Sequence, residues 1–572
     1  MAGGSRNNGG EVSIVICGEA GQGIQTLETL VTWVLKNSGY NVFATKEFMS
    51  RVRGGANSTS IRVAAQRVAA YVDRIDLLIP LLPDGIPRLA DRITPETIII
   101  GEKEKIAKVV DADRYRILDI PFSKIASDMG EGFYANIVAT GVISCVFDIE
   151  HEILSTIVGK IFSEKSRDVI DKNIKALEAG CHIGLGLIKS GEIANIPKNP
   201  RVTGELLLNG TEAVTFGAVA GGCNFISSYP MSPSTGVLTH LSQLAEDFGI
   251  VSEQAEDEIS AINMAIGAWY AGARAIITTS GGGFDLMTEG LSLAGMIESP
   301  LVIHLAQRPG PATGLPTRTE QGDLNLALFA GHGEFPRIIF APGTLEDAFS
   351  LSQRAFHLAD KYQVPVFILT DQYLLDSYYN LPGLDIPGKT PENAIVKTAA
   401  NYKRYALTDN GLSPRGIPGY GEGLVVADSD EHDEEGHITE DLHLRIKMVD
   451  KRLKKAERIS EETVAPRLFG SEEYETLVVC WGSTGNAVRE AIEKMDGDRT
   501  SALHFSQVYP LHADTAAYLE KAKRKVVLES NATSQFGSLV LLTTGIDMDA
   551  RILKYNGLPF SVEEVMGRLG EL

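Results

Sequence analysis

Apolar and polar positions follow two different periods along this chain, and the points where the period changes predict its elements. "VSIVICGEAGQGIQTLETLVTWVL", from Val12, is an unbroken apolar run, a glycine-rich turn and an amphipathic pattern. It predicts a buried strand, a turn and a helix. The alternation runs on to "AGCHIGLGLIKSGEI", a terminal helix, and "PKNPRVTG" breaks it near residue 195. A second alternation has "NFISSY", "ARAIITTS", "LVIHLA", "RIIFAP" and "VPVFILT" as strands and closes near residue 375. The chain then turns irregular: proline-rich, acidic at "DSDEHDEEGHITED", basic and helical at "RIKMVDKRLKKAERI". The last stretch carries strands in "TLVVCWGSTGNAV", "TSALHFSQVYPL", "RKVVLES" and "ARILKYNG". Strands alternating with helices predict an α/β protein with parallel sheets covered on both faces. The expected division is 1–195, 196–375, an irregular linker or insertion at 376–466, and 467–572, with no repeat at a solenoid period.

Composition excludes more than it identifies. A chain of 572 residues with 44% hydrophobic and 22% charged residues fits a soluble protein of several domains. Its net charge of −21 argues against a nucleic-acid surface. No apolar run reaches the roughly 18 to 20 residues that span a bilayer. "MAGGSRNNGGEVS" has no apolar core, so it reads as a flexible lead-in and not as a signal peptide. The five cysteines form no CxxC pair. An iron–sulfur or structural zinc motif is therefore not expected in this chain, and small buried hydrophobes in a reducing cytoplasm are.

Chemistry concentrates in the second block. In "FISSYPMSPSTGVLTHL", Pro230 and Pro233 end a strand. Ser232, Ser234 and Thr235 then follow Tyr229 at a helix start, with hydroxyls facing one space. "EQAEDEISAINMAIGAWYAGARA" sets Glu253, Glu256, Asp257 and Glu258 at the head of a helix, with Ile259, Ile262, Ile266 and Trp269 as its expected buried stripe. First-turn acids ordinarily complement the helix dipole. Glu258, however, directly precedes the stripe and is expected to point inward, where a carboxylate needs a purpose. Gly281, Gly282 and Gly283 follow a strand and allow close approach to the backbone. "QRPGPATGLPTRTEQGDL" carries Arg308 and Arg318, the latter a candidate carboxylate fork among threonines. In the first block, Gly21 and Gly23 lie at a strand–turn–helix junction, although the spacing is not the dinucleotide fingerprint and Glu19 adds negative charge. Arg51, Arg53 and Arg62 flank Gly54 and Gly55, an arrangement suited to an anion. The acidic run containing His432 and His437 reads as a solvated or interfacial loop in preference to a metal site.

Taken together, "YPMSPST", "EDEISAINMAIGA", "TSGGG" and "GLPTRTEQ", in this order and spacing, resemble the α chain of the 2-oxoacid:ferredoxin oxidoreductases. The form resembled has a γ-type domain fused ahead of the α chain, the match covers nearly the whole sequence, and it is best to the 2-oxoglutarate branch. The resemblance implies a γ-type domain, a pyrimidine-binding-type thiamine diphosphate domain and a C-terminal transketolase-C-like domain. It implies oxidative decarboxylation of 2-oxoglutarate to succinyl-CoA with coenzyme A as co-substrate and electrons passed to ferredoxin; the reverse direction would fix CO2, as in a reductive TCA cycle. Glu258 would hydrogen-bond the aminopyrimidine N1′, favouring the imino form whose nitrogen takes the thiazolium proton. Ungapped spacing favours Glu258 over Glu256. Tyr229, Ser232, Ser234, Thr235 and Arg318 would hold the 2-oxoacid, with Ser232 standing where the family usually has threonine. Gly281, Gly282 and Gly283 would lie at the cofactor, and Gly21, Gly23, Arg53, Gly54 and Gly55 would handle coenzyme A.

The sequence also departs from thiamine enzymes in general. It has no Gly-Asp-Gly followed at the usual distance by asparagine, and "QGDLN" at Gln321 to Asn325 is not that motif. The resemblance therefore implies a β subunit carrying the diphosphate, Mg²⁺ and a [4Fe-4S] cluster, assembled as an (αβ)2 heterotetramer, with no nucleic-acid or membrane partner. Two alternatives stand: a pyruvate, branched-chain or aryl 2-oxoacid enzyme, and a non-catalytic assembly subunit of the same fold. Retention of Glu258, the glycine triplet and Arg318 weighs against the second.

Overall fold

Val12 to Cys17 forms the buried part of the strand Glu11–Glu19, at the centre of the first of three sheets. The computed structural model describes residues 10–19, 24–49, 56–130, 134–189, 196–386, 393–495 and 499–572. They divide into two units, 1–208 with 376–383 and 561–564, and 209–375 with 384–560 and 565–572.

In the first unit, Leu77–Pro80, Ile98–Gly101 and Arg116–Asp119 extend the central strand in parallel on one side. On the other side Ala56–Ala64, Asn41–Glu47 and Tyr378–Leu381 pair antiparallel. The sequence pattern puts residues 376–383 at the start of the irregular stretch; in the structure they supply a sheet strand. The helices Tyr134–Val146 and Arg167–Lys189 touch backbone to backbone. A Cβ at Gly141 would lie 2.1 Å from the Leu177 carbonyl oxygen, and one at Gly180 would lie 2.0 Å from that of Val138. Cys145 and Cys181 join this helix pair as a disulfide with Cα atoms 5.0 Å apart. That corrects the expectation of unpaired cysteines; Cys17, Cys223 and Cys480 are free and buried as expected.

The second unit contains a seven-stranded sheet and a five-stranded sheet. All five expected strands of the second block are present, in the order Ile338–Phe340, Pro365–Asp371, Leu301–Gln307, Ala275–Thr279, Phe225–Ser228, and all are parallel. Two edge strands add to them. Val251–Gln254 pairs beside Phe225–Ser228, and Gln507–Tyr509 pairs antiparallel with Ile338–Phe340. "TSALHFSQVYPL" is thus two strands, because Thr500–Phe505 belongs to the five-stranded sheet while Gln507–Tyr509 crosses to the other. Apolar runs Ile276, Ile277 and Leu301 to Leu305 are fully buried, as a parallel sheet covered on both faces requires.

Between 384 and 440 the described chain is irregular apart from isolated bridges. A basic helix, Leu442–Ser460, then anchors it. Lys451 and Lys455 both reach the buried carboxylate of Glu298, Lys451 at 2.5 Å. The two ammonium groups hold that carboxyl far below the usual carboxylate range despite its burial. Among the described residues no helix is long and apolar enough to cross a membrane.

Candidate active site

The site grows out of the carboxyl ends of parallel strands, where open α/β sheets ordinarily bind ligands. The helix Glu258–Tyr270 begins with Asp257 as its cap; the Asp257 carboxylate accepts from the Ser260 amide at 2.7 Å. Glu253 and Glu256 are exposed, whereas Glu258 is 3% exposed. The buried stripe is Glu258, Ala261, Ile262, Ala265, Ile266 and Trp269. Ile259, expected inside, is 46% exposed, because it stands about 100° around the helix from Glu258. The carboxylate therefore heads the buried face itself.

Glu258 Oε1 is shielded from solvent and has no hydrogen-bond partner among the described residues. Burial raises its pKa above the usual carboxylate value, and the neighbouring Asp257 charge adds to the shift. The carboxylate lies on the glycine turn that follows Ala275–Thr279. A Cβ at Gly283 would sit 2.3 Å from Glu258 Oε1 and 2.3 Å from Thr279 Oγ1. A Cβ at Gly281 would sit 2.5 Å from both carboxylate oxygens of Asp323. The close approaches that these two glycines permit are thus made by the protein's own carboxyl groups. Gly282 is the exposed member of the turn; a Cβ there would have the Ala312 carbonyl oxygen as its nearest outside atom, at 3.7 Å. Ser280 Oγ and Asp323 Oδ2 are also shielded and without a hydrogen-bond partner. Three unpartnered polar atoms around one turn are what a site keeps for a polar ligand.

The hydroxyl-rich corner faces the same strand ends. Ser227 donates to the Ala261 carbonyl at 2.7 Å, and Ser228 donates to that of Thr278, which ties the strand to its neighbours. Ser234 is fully buried and its hydroxyl turns back to the Met231 carbonyl at 2.7 Å, so it shapes the corner from within. Tyr229 and Ser232 are exposed and Thr235 is half-buried at the first position of the helix Thr235–Gln243. The Arg308 guanidinium donates to the Ser232 carbonyl at 2.6 Å.

Arg318 is half-buried, its stem against the turn at Gly557, where a Cβ would lie 3.1 Å from Arg318 Cβ. Thr319 and Gln321 continue that attachment. The Thr319 amide donates to the Gly557 carbonyl at 3.2 Å, and Gln321 exchanges amide hydrogen bonds with Ser530 at 2.6 and 3.0 Å. The Gln321 side chain also donates to the Trp481 carbonyl at 2.8 Å. The C-terminal segment thereby fixes the loop that carries Arg318 and delivers Asp323 to Gly281. Sequence reasoning passed over Asp323 and Gln321, because an acid ahead of a short apolar segment has the pattern of an ordinary helix cap.

Gly21, Gly23, Arg53, Gly54 and Gly55 lie outside the described residues. Arg62 lies in the first unit and donates to the Ala70 carbonyl and to Glu11, so its charge serves the sheet. His432 is buried with its ring 3.9 Å from that of Tyr405, and His437 is exposed beside Asp433 and Glu435. Among the described residues no group of His, Cys, Asp and Glu could hold a metal ion.

Comparison with known proteins bears on both units. Residues 216–451 match the family described as "Pyruvate flavodoxin/ferredoxin oxidoreductase, thiamine diP-bdg", and residues 13–183 match "Pyruvate ferredoxin/flavodoxin oxidoreductase". The first match contains Glu258, the glycine turn and Arg318. The 2-oxoacid:ferredoxin oxidoreductase subunit alpha of a Sulfolobus species is 31% identical over 97% of this chain and 96% of that protein. The 2-oxoglutarate oxidoreductase subunit KorA of Mycobacterium tuberculosis is 26% identical over 98% of this chain and 92% of that one. Among solved structures, the 2-oxoglutarate:ferredoxin oxidoreductase from Magnetococcus marinus, with 2-oxoglutarate, coenzyme A and succinyl-CoA bound, is similar with a TM-score of 0.90. It is 29% identical and covers 98% of this chain and 99% of that one.

Proposed function

We propose that this chain, which belongs to the α subunits of the 2-oxoacid:ferredoxin oxidoreductases, provides the proton-handling half of a thiamine diphosphate site that oxidises 2-oxoglutarate. The reaction joins the succinyl group to coenzyme A, releases CO2 and passes two electrons to ferredoxin; run in reverse it fixes CO2. The carrying observation is Glu258: a buried carboxyl at a helix start, with one oxygen unpartnered and its proton affinity raised by burial.

These residues fit the cofactor. An aminopyrimidine offers a basic ring nitrogen, and the unpartnered Oε1 beside a turn that admits no side chain at Gly283 is a suitable hydrogen-bond partner for it. When bound, thiamine diphosphate supplies a carbon nucleophile that also stores the electrons released on decarboxylation. In this chain Glu258 would hold a proton at Oε1, and Gly281, Gly282 and Gly283 would leave the backbone open beside it. Tyr229, Ser232 and Thr235 would border the 2-oxoacid, with Ser234 supporting the corner from behind. Arg318 would pair a substrate carboxylate through its guanidinium.

We further propose the division 1–195 for a γ-type domain concerned with coenzyme A, through Gly21, Gly23, Arg53, Gly54 and Gly55, and 196–375 for the pyrimidine domain. The linker 376–466 and the transketolase-C-like domain 467–572 complete it. A β subunit would carry the diphosphate, Mg²⁺ and a [4Fe-4S] cluster in an (αβ)2 assembly working with ferredoxin in the cytoplasm. The test is viologen reduction by the assembled complex. It is expected to require 2-oxoglutarate, thiamine diphosphate and coenzyme A together. Equal rates without coenzyme A or without thiamine diphosphate would refute the reaction.

A further inference from the structure

Arg308 and Asp323 share a neighbourhood that the assignments above leave unused. Arg308 follows the end of the strand Leu301–Gln307 and is half-buried. Among the described residues its one side-chain hydrogen bond goes to the Ser232 carbonyl, at 2.6 Å, so it stands at the hydroxyl corner with further guanidinium N–H groups to offer. Asp323 precedes the short helix Leu324–Phe329, yet its carboxylate makes no capping hydrogen bond. Its amide is fixed by Gln307 Oε1 at 3.0 Å and its oxygens lie on Gly281, with Oδ2 shielded and unpartnered. The clasp between Gln321 and the 529–535 segment keeps it there, with the Gln535 side chain donating to the Gly322 carbonyl at 2.7 Å and accepting from the Asn325 amide at 2.9 Å.

A doubly charged 2-oxoacid has two carboxylates to pair, and Arg308 and Arg318 stand on the one loop that follows the strand Leu301–Gln307. Arg318 serves one carboxylate in the reading above. We propose that Arg308 is the specificity-determining cation for the second carboxylate of a dicarboxylic 2-oxoacid, and that Asp323 is its titratable counter-charge. This rests on the function proposed above and adds a substrate preference and a pH dependence to it.

Four groups set the charge balance. The charges that act on Asp323 are the carboxyls of Glu320 on its own loop and Asp285 on the adjoining turn, and the cation Arg308, which directly follows the Gln307 that holds the Asp323 amide. Burial raises the Asp323 pKa most, Glu320 and Asp285 add to it, Arg308 opposes it, and the result is about 7. Arg308 stays protonated throughout. Below about pH 7 Asp323 is neutral and the Arg308 charge is available to substrate. Above it, ionised Asp323 competes for the guanidinium. The KM for a dicarboxylic 2-oxoacid therefore rises with pH across this window.

The experiment is steady-state kinetics of the assembled holoenzyme with 2-oxoglutarate and with 2-oxobutyrate, a monocarboxylate, from about pH 6 to 8, the window around the Asp323 pKa. Where 2-oxobutyrate turns over too slowly, it is measured as a competitive inhibitor. Wild-type KM for 2-oxoglutarate is expected to rise about fivefold over this range and to stay flat for 2-oxobutyrate. Asp323→Asn should hold the 2-oxoglutarate KM low and flat. Arg308→Gln should raise it about tenfold or more, with less than about threefold effect on 2-oxobutyrate. Arg308→Lys, which keeps a charge and can still reach Ser232, should recover part of the loss. Arg318→Ala should raise both constants. Equal change for both substrates in Arg308→Gln would make Arg308 only a prop for the corner and overturn the inference, as would a pH slope that survives in Asp323→Asn. A wild-type complex that oxidises another 2-oxoacid but not 2-oxoglutarate would instead remove the substrate reading, and this inference with it.

Discussion

Glu529 and Glu258 are both buried glutamates of the second unit, and they are treated in opposite ways. Glu529, fully buried, accepts from Trp481 Nε1 at 3.2 Å, Asn531 Nδ2 at 2.7 Å and Ser534 Oγ at 3.1 Å. The amides of Phe536 and Gly537 donate to it as well, each at 2.9 Å. Its oxygens are satisfied from within the chain, and it fixes the turn whose neighbours clasp Gln321. Glu258 is nearly as buried and keeps Oε1 without a partner. A buried polar atom left unpaired destabilises a fold by about 1–3 kcal/mol, so its retention points to a ligand that completes it. Glu298 belongs with Glu529, since its carboxylate is held by Lys451 and Lys455. Satisfaction from within the chain separates carboxylates that build this fold from those that await something.

The comparison can be broken by mutation. The largest effect is expected at Glu258. Glu258→Gln in the assembled enzyme should lower turnover about 10²- to 10⁴-fold, the range of general acid–base assistance, while its thermal midpoint does not fall. If Glu256→Gln produced that loss and Glu258→Gln did not, burial would have chosen the wrong acid. Next is Glu298→Gln, which leaves two buried ammonium groups without a counter-charge and should destabilise the fold by about 3–5 kcal/mol in denaturant unfolding. Unchanged stability would show that this network is not structural. A smaller effect is expected at the turn. Gly283→Ala must displace the Glu258 carboxylate or the Thr279 hydroxyl and should slow turnover about 10- to 100-fold. Gly282→Ala meets no protein atom closer than 3.7 Å and should leave stability in denaturant unfolding within about 0.5 kcal/mol of wild type.

Much of this architecture was legible because buried parallel strands announce themselves as unbroken apolar runs. "ARAIITTS" and "VPVFILT" needed no context. Val251–Gln254 escaped notice because an edge strand has few buried positions, and "VSEQ" is largely exposed. The switch of sheet between Phe505 and Gln507 escaped for a different reason, since both pieces continue one apolar pattern and only tertiary pairing divides them. Glu258 was readable from its place ahead of an apolar helix. The pattern places the start of the stripe one residue out of register, because Ile259 is apolar but faces outward. Asp323 was not readable, since an acid before a short apolar segment looks like an ordinary cap. Its position on Gly281 depends on contacts with residues some 200 positions along the chain, such as Gln535. The Cys145–Cys181 pair was hidden similarly, in the contact of two helices with a sequence separation of 36.

The central claim is that this chain supplies half of a site, with Glu258 as its proton-handling carboxyl and the rest on a second subunit. The most direct test is the initial rate of 2-oxoglutarate-dependent viologen reduction, with thiamine diphosphate, Mg²⁺ and coenzyme A, by the purified chain alone and again after its β subunit is added. The predicted result is no turnover from the chain alone and full turnover on mixing. Turnover by the isolated chain would contradict the account.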